Sequence, residues 1–260
     1  MGEAVRYERD GFVGLITLDR EANRNSMTPE LLDAFAAASA AARADGEARC
    51  VIVTGTGAYF SAGADFKSNV QRGATHQLPH ERSFAMYEPF LSLLEIEVPV
   101  VAAVNGHAVG GGFGLALLCD VRIAARGAKL GANFCRLGLA PGLGISYVLP
   151  RVVGASRAAE LMFTGRLLSG EEAAAMGLAS EALDAVEVLP RAREIAGAIA
   201  ASAPLAVRAT KRAIYQGLGW EVRAAAWREA FAQAETLQTA DFAEGVAALL
   251  EKRDPRFRGA

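Results

Sequence analysis

The stretch VPVVAAVNGHAVGGGFGLALLCD, residues 98–120, decides the fold class. Its first seven residues are an unbroken apolar run, the pattern of a strand buried on both faces. FGLALL (113–118) is an apolar helical pattern. Between them stand Gly110, Gly111 and Gly112. A buried strand that turns through glycine into a helix is the joint of an α/β fold. The first-turn N–H groups of a helix lack intrahelical partners, and the helix dipole favours negative charge there. Glycines remove side chains that would screen those groups. Two readings of the triplet stay open: a backbone donor to an oxyanion, or close helix–strand packing.

The same logic extends outward. AVRYERD (4–10) and FVGLITLD (12–19) alternate around Asp10-Gly11, the pattern of a β-hairpin. Thr28 is a good N-cap and Pro29 a good first helical residue. Leu31, Leu32, Phe35, Ala38 and Ala42 follow at helical spacing, so a helix is expected to about Asp45-Gly46. RCVIVTG (49–55) reads as a second buried strand, and the glycine-rich GTGAYFSAGADF (55–66) follows it. SNVQRGATHQLPH (68–80) is polar and unpatterned, the composition of a loop. A helix is expected over Glu81–Glu95, then strands at DVRIAAR (120–126) and KLGA (129–132). From about residue 135 Ala-rich helical stretches dominate: SRAAELMF, SGEEAAAMG, EVLPRAREIAGAIAAS, APLAVRATKRAIYQ and EVRAAAWREAFAQAETL. Apolar strands separated by helices predict a parallel sheet core.

Bulk composition narrows the function classes. With 260 residues, 52% of them hydrophobic, the chain can bury a sizeable core. A formal net charge of −2 gives no electrostatic case for nucleic acid or an anionic membrane. No run of about 18 apolar residues marks a membrane span. The charged start MGEAVRYERDG carries no secretory signal, and Cys50, Cys119 and Cys135 form no paired motif, so a cytoplasmic setting is expected.

Familiar catalytic fingerprints fail. GTGAYF matches only the first two glycines of G-x-G-x-x-G, and ADFKS puts Phe66 where a Walker A loop needs glycine. GLGIS leaves Ser146 off register for a nucleophile elbow. His76, His80 and His107 make no ligand pattern with Cys, Asp or Glu, so no metal site is expected. What remains is a second small-residue loop, FSAGADF (60–66), which also follows an apolar strand. Two such loops can supply two converging backbone donors, the geometry of an oxyanion hole.

FSAGADF, followed by VPVVAAVNGHAVGGGFGLALLCDVRIAA, resembles the crotonase (enoyl-CoA hydratase/isomerase) superfamily. The resemblance continues through LGLAPGLGISYVLPRVVG, RAAELMFTGRLLSGEEAAAMGLASE and the terminal EKRDPRF, and so covers nearly the whole chain. It implies an α/β fold: a crotonase-like spiral of ββα units with a C-terminal α-helical trimerisation region. Residues 1–195 would form the acyl-CoA-binding core. Residues 196–260 would serve trimerisation and cover the active site, in a homotrimer or homohexamer. It implies no separate cofactor, coenzyme A entering as part of an acyl-CoA substrate. The backbone N–H groups of Ala64 and Gly111 match the family's oxyanion hole. Arg24, in REANRNSM (20–27), is the cationic CoA contact that the resemblance implies. Ala62 would meet the adenine, Asp65 would support the loop and cap a following helix, and Phe257 and Arg258 would approach CoA from the tail. Phe134 and Gly142 would line an apolar acyl pocket with Leu143.

The family's proton-moving residues are missing. Its hydratases carry glutamates at the positions of Gly114 and Phe134, and many of its isomerases a carboxylate at that of Gly142. Each missing acid–base group typically costs about 10²–10⁴ in rate. Standard hydration is therefore not expected. Isomerisation, decarboxylation, thioester hydrolysis or a non-catalytic acyl-CoA-binding role stay open. Asp65, Glu88, His76 and His80 are the ionisable substitutes, Asn133, Cys135 and Tyr147 lie near the pocket segment, and His107 reads as packing.

Overall fold

The computed structural model describes residues 3–65 and 78–260. Most of the polar stretch 68–80, with His76, lies outside the described residues, as does the helix that Asp65 was expected to cap. In chain order the elements are β1 (Val5–Asp10), β2 (Val13–Leu18), α1 (Pro29–Ala44), β3 (Cys50–Gly55), β4 (Tyr59–Ser61) and α2 (Pro79–Leu91). Then come β5 (Val100–Val104), β6 (His107–Val109), α3 (Gly111–Leu118), β7 (Val121–Ala125) and β8 (Lys129–Gly131). The helical half holds α4 (Ile145–Val153), α5 (Ala155–Thr164), β9 (Leu168–Ser169), α6 (Gly170–Ala175) and β10 (Glu181–Leu183). It ends with α7 (Ala185–Ala201), α8 (Pro204–Ile214), α9 (Leu218–Thr236) and α10 (Ala240–Glu251).

The local signals act as expected at most joints. Gly11, at φ +56°, turns the β1–β2 hairpin. The Leu31 N–H donates to Thr28 Oγ1 at 3.2 Å and opens α1, whose Leu31, Leu32, Phe35, Ala38 and Ala42 are buried. The helix expected over Glu81–Glu95 is corrected. It starts two residues earlier, because Pro79 takes the first position and the Leu78 N–H donates to Glu81 Oε2 at 2.9 Å. It stops at Leu91, and Ser92–Glu95 tighten into a 3-10 turn leading to β5.

The strands form two sheets, in the orders β1-β2-β3-β5-β7-β10 and β4-β6-β8-β9. From β3 to β8 the chain deals strands alternately to the large sheet and the small one. Neighbours β3, β5 and β7 run parallel, as do β4, β6 and β8. Helices follow each pair, so the chain is an α/β spiral of ββα units. Every residue of β5 is buried, which explains its unbroken apolar run. α7 lies across β3, β5 and β7, while α9 packs on α2 and α4. Among the described residues no helix is long and apolar enough to cross a membrane.

Candidate active site

The small sheet brings the two glycine-rich loops together. β4 and β6 are parallel neighbours, with Tyr59 opposite His107 and Ser61 opposite Ala108. The chain leaving β4 and the chain leaving β6 therefore emerge side by side. Gly63, at φ +78°, lies so close to the start of α3 that an added Cβ would sit 2.5 Å from Val109 O and 3.2 Å from Gly111 N. Neither the Ala64 nor the Gly111 N–H has a hydrogen-bond acceptor among the described residues. Gly111 is buried and Ala64 partly so. Buried backbone donors are nearly always paired, so the Gly111 N–H, with the Ala64 N–H on the neighbouring loop, marks a candidate place for an acceptor.

The two readings of the glycine triplet are divided among its members. Gly110 holds φ +56° and ψ −119°, a conformation suited to glycine, and its N–H donates to Gly131 O at 2.9 Å. A Cβ on Gly112 would overlap the Ser61 carbonyl, so that glycine serves packing. Gly111 supplies the free N–H, but its side-chain direction points elsewhere: an added Cβ would overlap Met27 Sδ and come within 3.7 Å of Tyr87 Cε1. Its bareness is required by the buried methionine beneath it. Met27 also ties the other loop, its N–H donating to Gly63 O at 2.8 Å.

Asn25, which the sequence reading passed over, pins the first turn. It is buried at φ +51°, its Oδ1 accepts the Arg20 N–H at 2.8 Å, and its Nδ2 donates to Thr56 O and Tyr59 O. Beside it Arg24 is exposed at φ +62°, with its guanidinium 5.5 Å from the Tyr59 ring centroid. The Arg24 carbonyl accepts the Ala62 N–H at 3.1 Å. Arg24, Ala62, Ala64 and Gly111 thus belong to one continuous cluster.

The three positions lacking carboxylates are filled, not vacant. A Cβ on Gly114 would meet Leu143 Cδ2 at 2.6 Å and Ile145 Cδ1 at 3.2 Å. A Cβ on Gly142 would run into the Tyr87 ring, 2.5 Å from Cζ and 2.6 Å from Oη. Phe134 is buried, and its Cζ lies 3.9 Å from where a Gly110 Cβ would stand. Tyr87 is also buried, and its Oη accepts from Gln233 Nε2 at 2.9 Å. Gln233 Nε2 donates as well to Ala140 O at 3.0 Å. One turn earlier on α9, Glu229 Oε2 accepts the Gly144 N–H at 2.6 Å. Its Oε1 accepts the Ser146 N–H at 2.8 Å and the Ser146 hydroxyl. Burial raises the Glu229 carboxyl above the usual range, and the Ser146 and Gly144 donors offset only part of that rise. The sequence reading missed Tyr87, Glu229 and Gln233. For Glu229 and Gln233 the available signal was polar side chains falling on the apolar stripe of α9, with Val222, Ala226 and Ala230.

Several other candidates are occupied elsewhere. His80 stacks on Phe231 at 3.8 Å between ring centroids. His107 Nδ1 accepts the Lys129 N–H at 2.9 Å, and burial first, then the Lys129 charge, lowers its pKa. It is a packing residue. Tyr147 lies under the Arg151 guanidinium at 3.3 Å, Asn133 starts the 3-10 turn 134–137, and Cys135 and Glu88 are exposed. In the tail, the Arg258 N–H donates to Asp241 Oδ1 at 2.7 Å, docking residues around Phe257 at the start of α10.

Comparison with known proteins agrees with this architecture. The sequence model of the Enoyl-CoA hydratase/isomerase family matches residues 8–260. A Bacillus subtilis (strain 168) relative, YngF, is 36% identical over 262 residues, covering 100% of both chains. The crystal structure of an enoyl-CoA hydratase/isomerase from Pseudoalteromonas atlantica T6c superposes with a TM-score of 0.87 at 33% identity, covering 98% of this chain and 100% of that one. A carnitinyl-CoA hydratase from Mycobacterium avium gives a TM-score of 0.86 at 34% identity, covering 100% of both chains.

Proposed function

The chain belongs to the enoyl-CoA hydratase/isomerase family, and from that premise we propose that it acts on an acyl-CoA thioester by stabilising an enolate. The Ala64 and Gly111 N–H groups hold the thioester oxygen. The observation that carries this reading is the pair of neighbouring backbone donors without acceptors among the described residues, one at the N-terminus of α3. Chemistry next to a thioester carbonyl builds negative charge on its oxygen, and fixed donors aimed there are worth about 10²–10³ each in rate. Arg24 and Ala62 take the CoA end, with Asp65 supporting the loop between them and the hole. Phe134 and Gly142, with Leu143, bound an apolar acyl pocket.

Fast hydration of an enoyl-CoA is disfavoured, because Gly114, Phe134 and Gly142 cannot move protons, and a Cβ at Gly114 or Gly142 would meet the Leu143 side chain or the Tyr87 ring. The reaction is one in which the oxyanion hole carries most of the work, such as isomerisation, decarboxylation or thioester hydrolysis. The direct test pairs two assays. Crotonyl-CoA hydration should be at least about 10² slower than a two-glutamate hydratase. Ala64→Pro, which deletes one donor, should lower turnover on any active thioester by about 10²–10³ while acyl-CoA binding survives. Ordinary hydratase rates contradict the carboxylate argument. Unchanged turnover in Ala64→Pro contradicts the hole. Tight acyl-CoA binding with no turnover on a thioester panel favours a non-catalytic binding protein.

A further inference from the structure

Tyr87 is a buried titratable side chain that the oxyanion hole leaves unused, and it touches two of the positions that matter. Its Cε1 lies 3.7 Å from the Cβ direction of Gly111, and its Oη 2.6 Å from that of Gly142. The phenol therefore stands in the volume that a side chain at position 142 would take. The hydrogen bonds around it are directional. Gln233 Nε2 must face Ala140 O, a carbonyl, so the same amide nitrogen donates its other hydrogen to Tyr87 Oη. The phenol oxygen is thus an acceptor in that bond, and its own hydrogen has no acceptor among the described residues. The other buried acid close by, Glu229, spends both oxygens on Gly144 and Ser146.

We propose that the Tyr87 hydroxyl is the proton donor to the acyl chain, delivering its hydrogen to the carbon next to the thioester carbonyl. The inference rests on the enolate reading above. In the step, the Tyr87 O–H bond breaks and a C–H bond forms at the α-carbon, using the electron pair of the enolate. The thioester C=O is restored, and the negative charge passes to the phenolate oxygen, which the Gln233 N–H stabilises. Solvent water then returns a proton to the phenolate. Burial pushes the phenol pKa up, so at neutral pH the group holds its proton and serves as an acid. Because removal of an α-hydrogen runs through the same phenolate in reverse, exchange should speed up with rising pH.

The test measures exchange of the α-hydrogens of butyryl-CoA into D₂O by NMR, in the wild type and in Tyr87→Phe. The wild type should exchange, and Tyr87→Phe should lose about 10²–10⁴ of that rate while its butyryl-CoA Kd stays close to wild type. Exchange that survives in Tyr87→Phe overturns the proton-donor assignment and leaves the enolate reading standing. A wild type that binds butyryl-CoA without any exchange overturns both. Gln233→Met keeps the hydroxyl and removes the N–H that holds the phenolate, so its pH–rate profile should move to higher pH. If Tyr87→Phe does not fold, an unmoved profile in Gln233→Met overturns the assignment.

Discussion

At the scale of single residues, the sequence showed which glycines matter but not why each is bare. The triplet and the FSAGADF loop were legible because a glycine at a strand–helix joint has few uses. What a missing side chain would strike depends on residues distant in the chain, such as Met27 under Gly111 and Tyr87 against Gly142. That information is absent from local pattern. It also changes how Gly111 should respond to mutation. Gly111→Ala keeps the N–H but drives a methyl into Met27 Sδ. It should lower stability by about 1–3 kcal/mol, the usual range for overpacking. Met27→Ala in the same chain should recover part of that loss, a coupling that a double-mutant cycle of urea unfolding measures. Additive effects would contradict the contact.

At the scale of elements, the long periodic helices and the buried strands β3, β5 and β7 were readable. β4, β6, β9 and β10 were not, because strands of two or three residues carry too few positions for an alternation. The role of α9 was likewise hidden. Its Glu229 reaches across to the start of α4 and holds the Gly144 and Ser146 N–H groups, where the helix dipole favours a carboxylate. Glu229→Gln points an amide hydrogen at one of those donors, and should cost about 1–3 kcal/mol. The pH dependence has a definite sign. Burial raises the folded pKa of Glu229 above its unfolded value of about 4.3, so across that window the folded chain binds the extra proton. The Glu229 contribution is fully present below the unfolded value and is lost as pH rises through the folded one. Thermal unfolding from pH 4 to 7 should show the wild type's advantage over Glu229→Gln shrinking as pH rises. An advantage that grows with pH contradicts the burial argument.

At the scale of the whole molecule, the spiral gives the two loops their meeting point. Strands β4 and β6 come from successive ββα units, and their pairing sets Ala64 beside the N-terminus of α3. The resemblance in the sequence implied that arrangement, and the two-sheet topology shows how it is built. It also explains why the proposed proton donor was less legible than the proposed oxyanion hole. The hole is built from backbone groups on two local motifs, whereas Tyr87 and Gln233 come from α2 and α9, which are distant in the chain and packed on each other in the fold. The most direct measurement of the central claim is the infrared carbonyl stretch of butyryl-CoA labelled with ¹³C at the thioester carbon. Bound to the wild type, the band should move to lower frequency than in free butyryl-CoA, and in bound Ala64→Pro much of that shift should disappear. A bound carbonyl that absorbs where the free one does would contradict an oxyanion hole at Ala64 and Gly111.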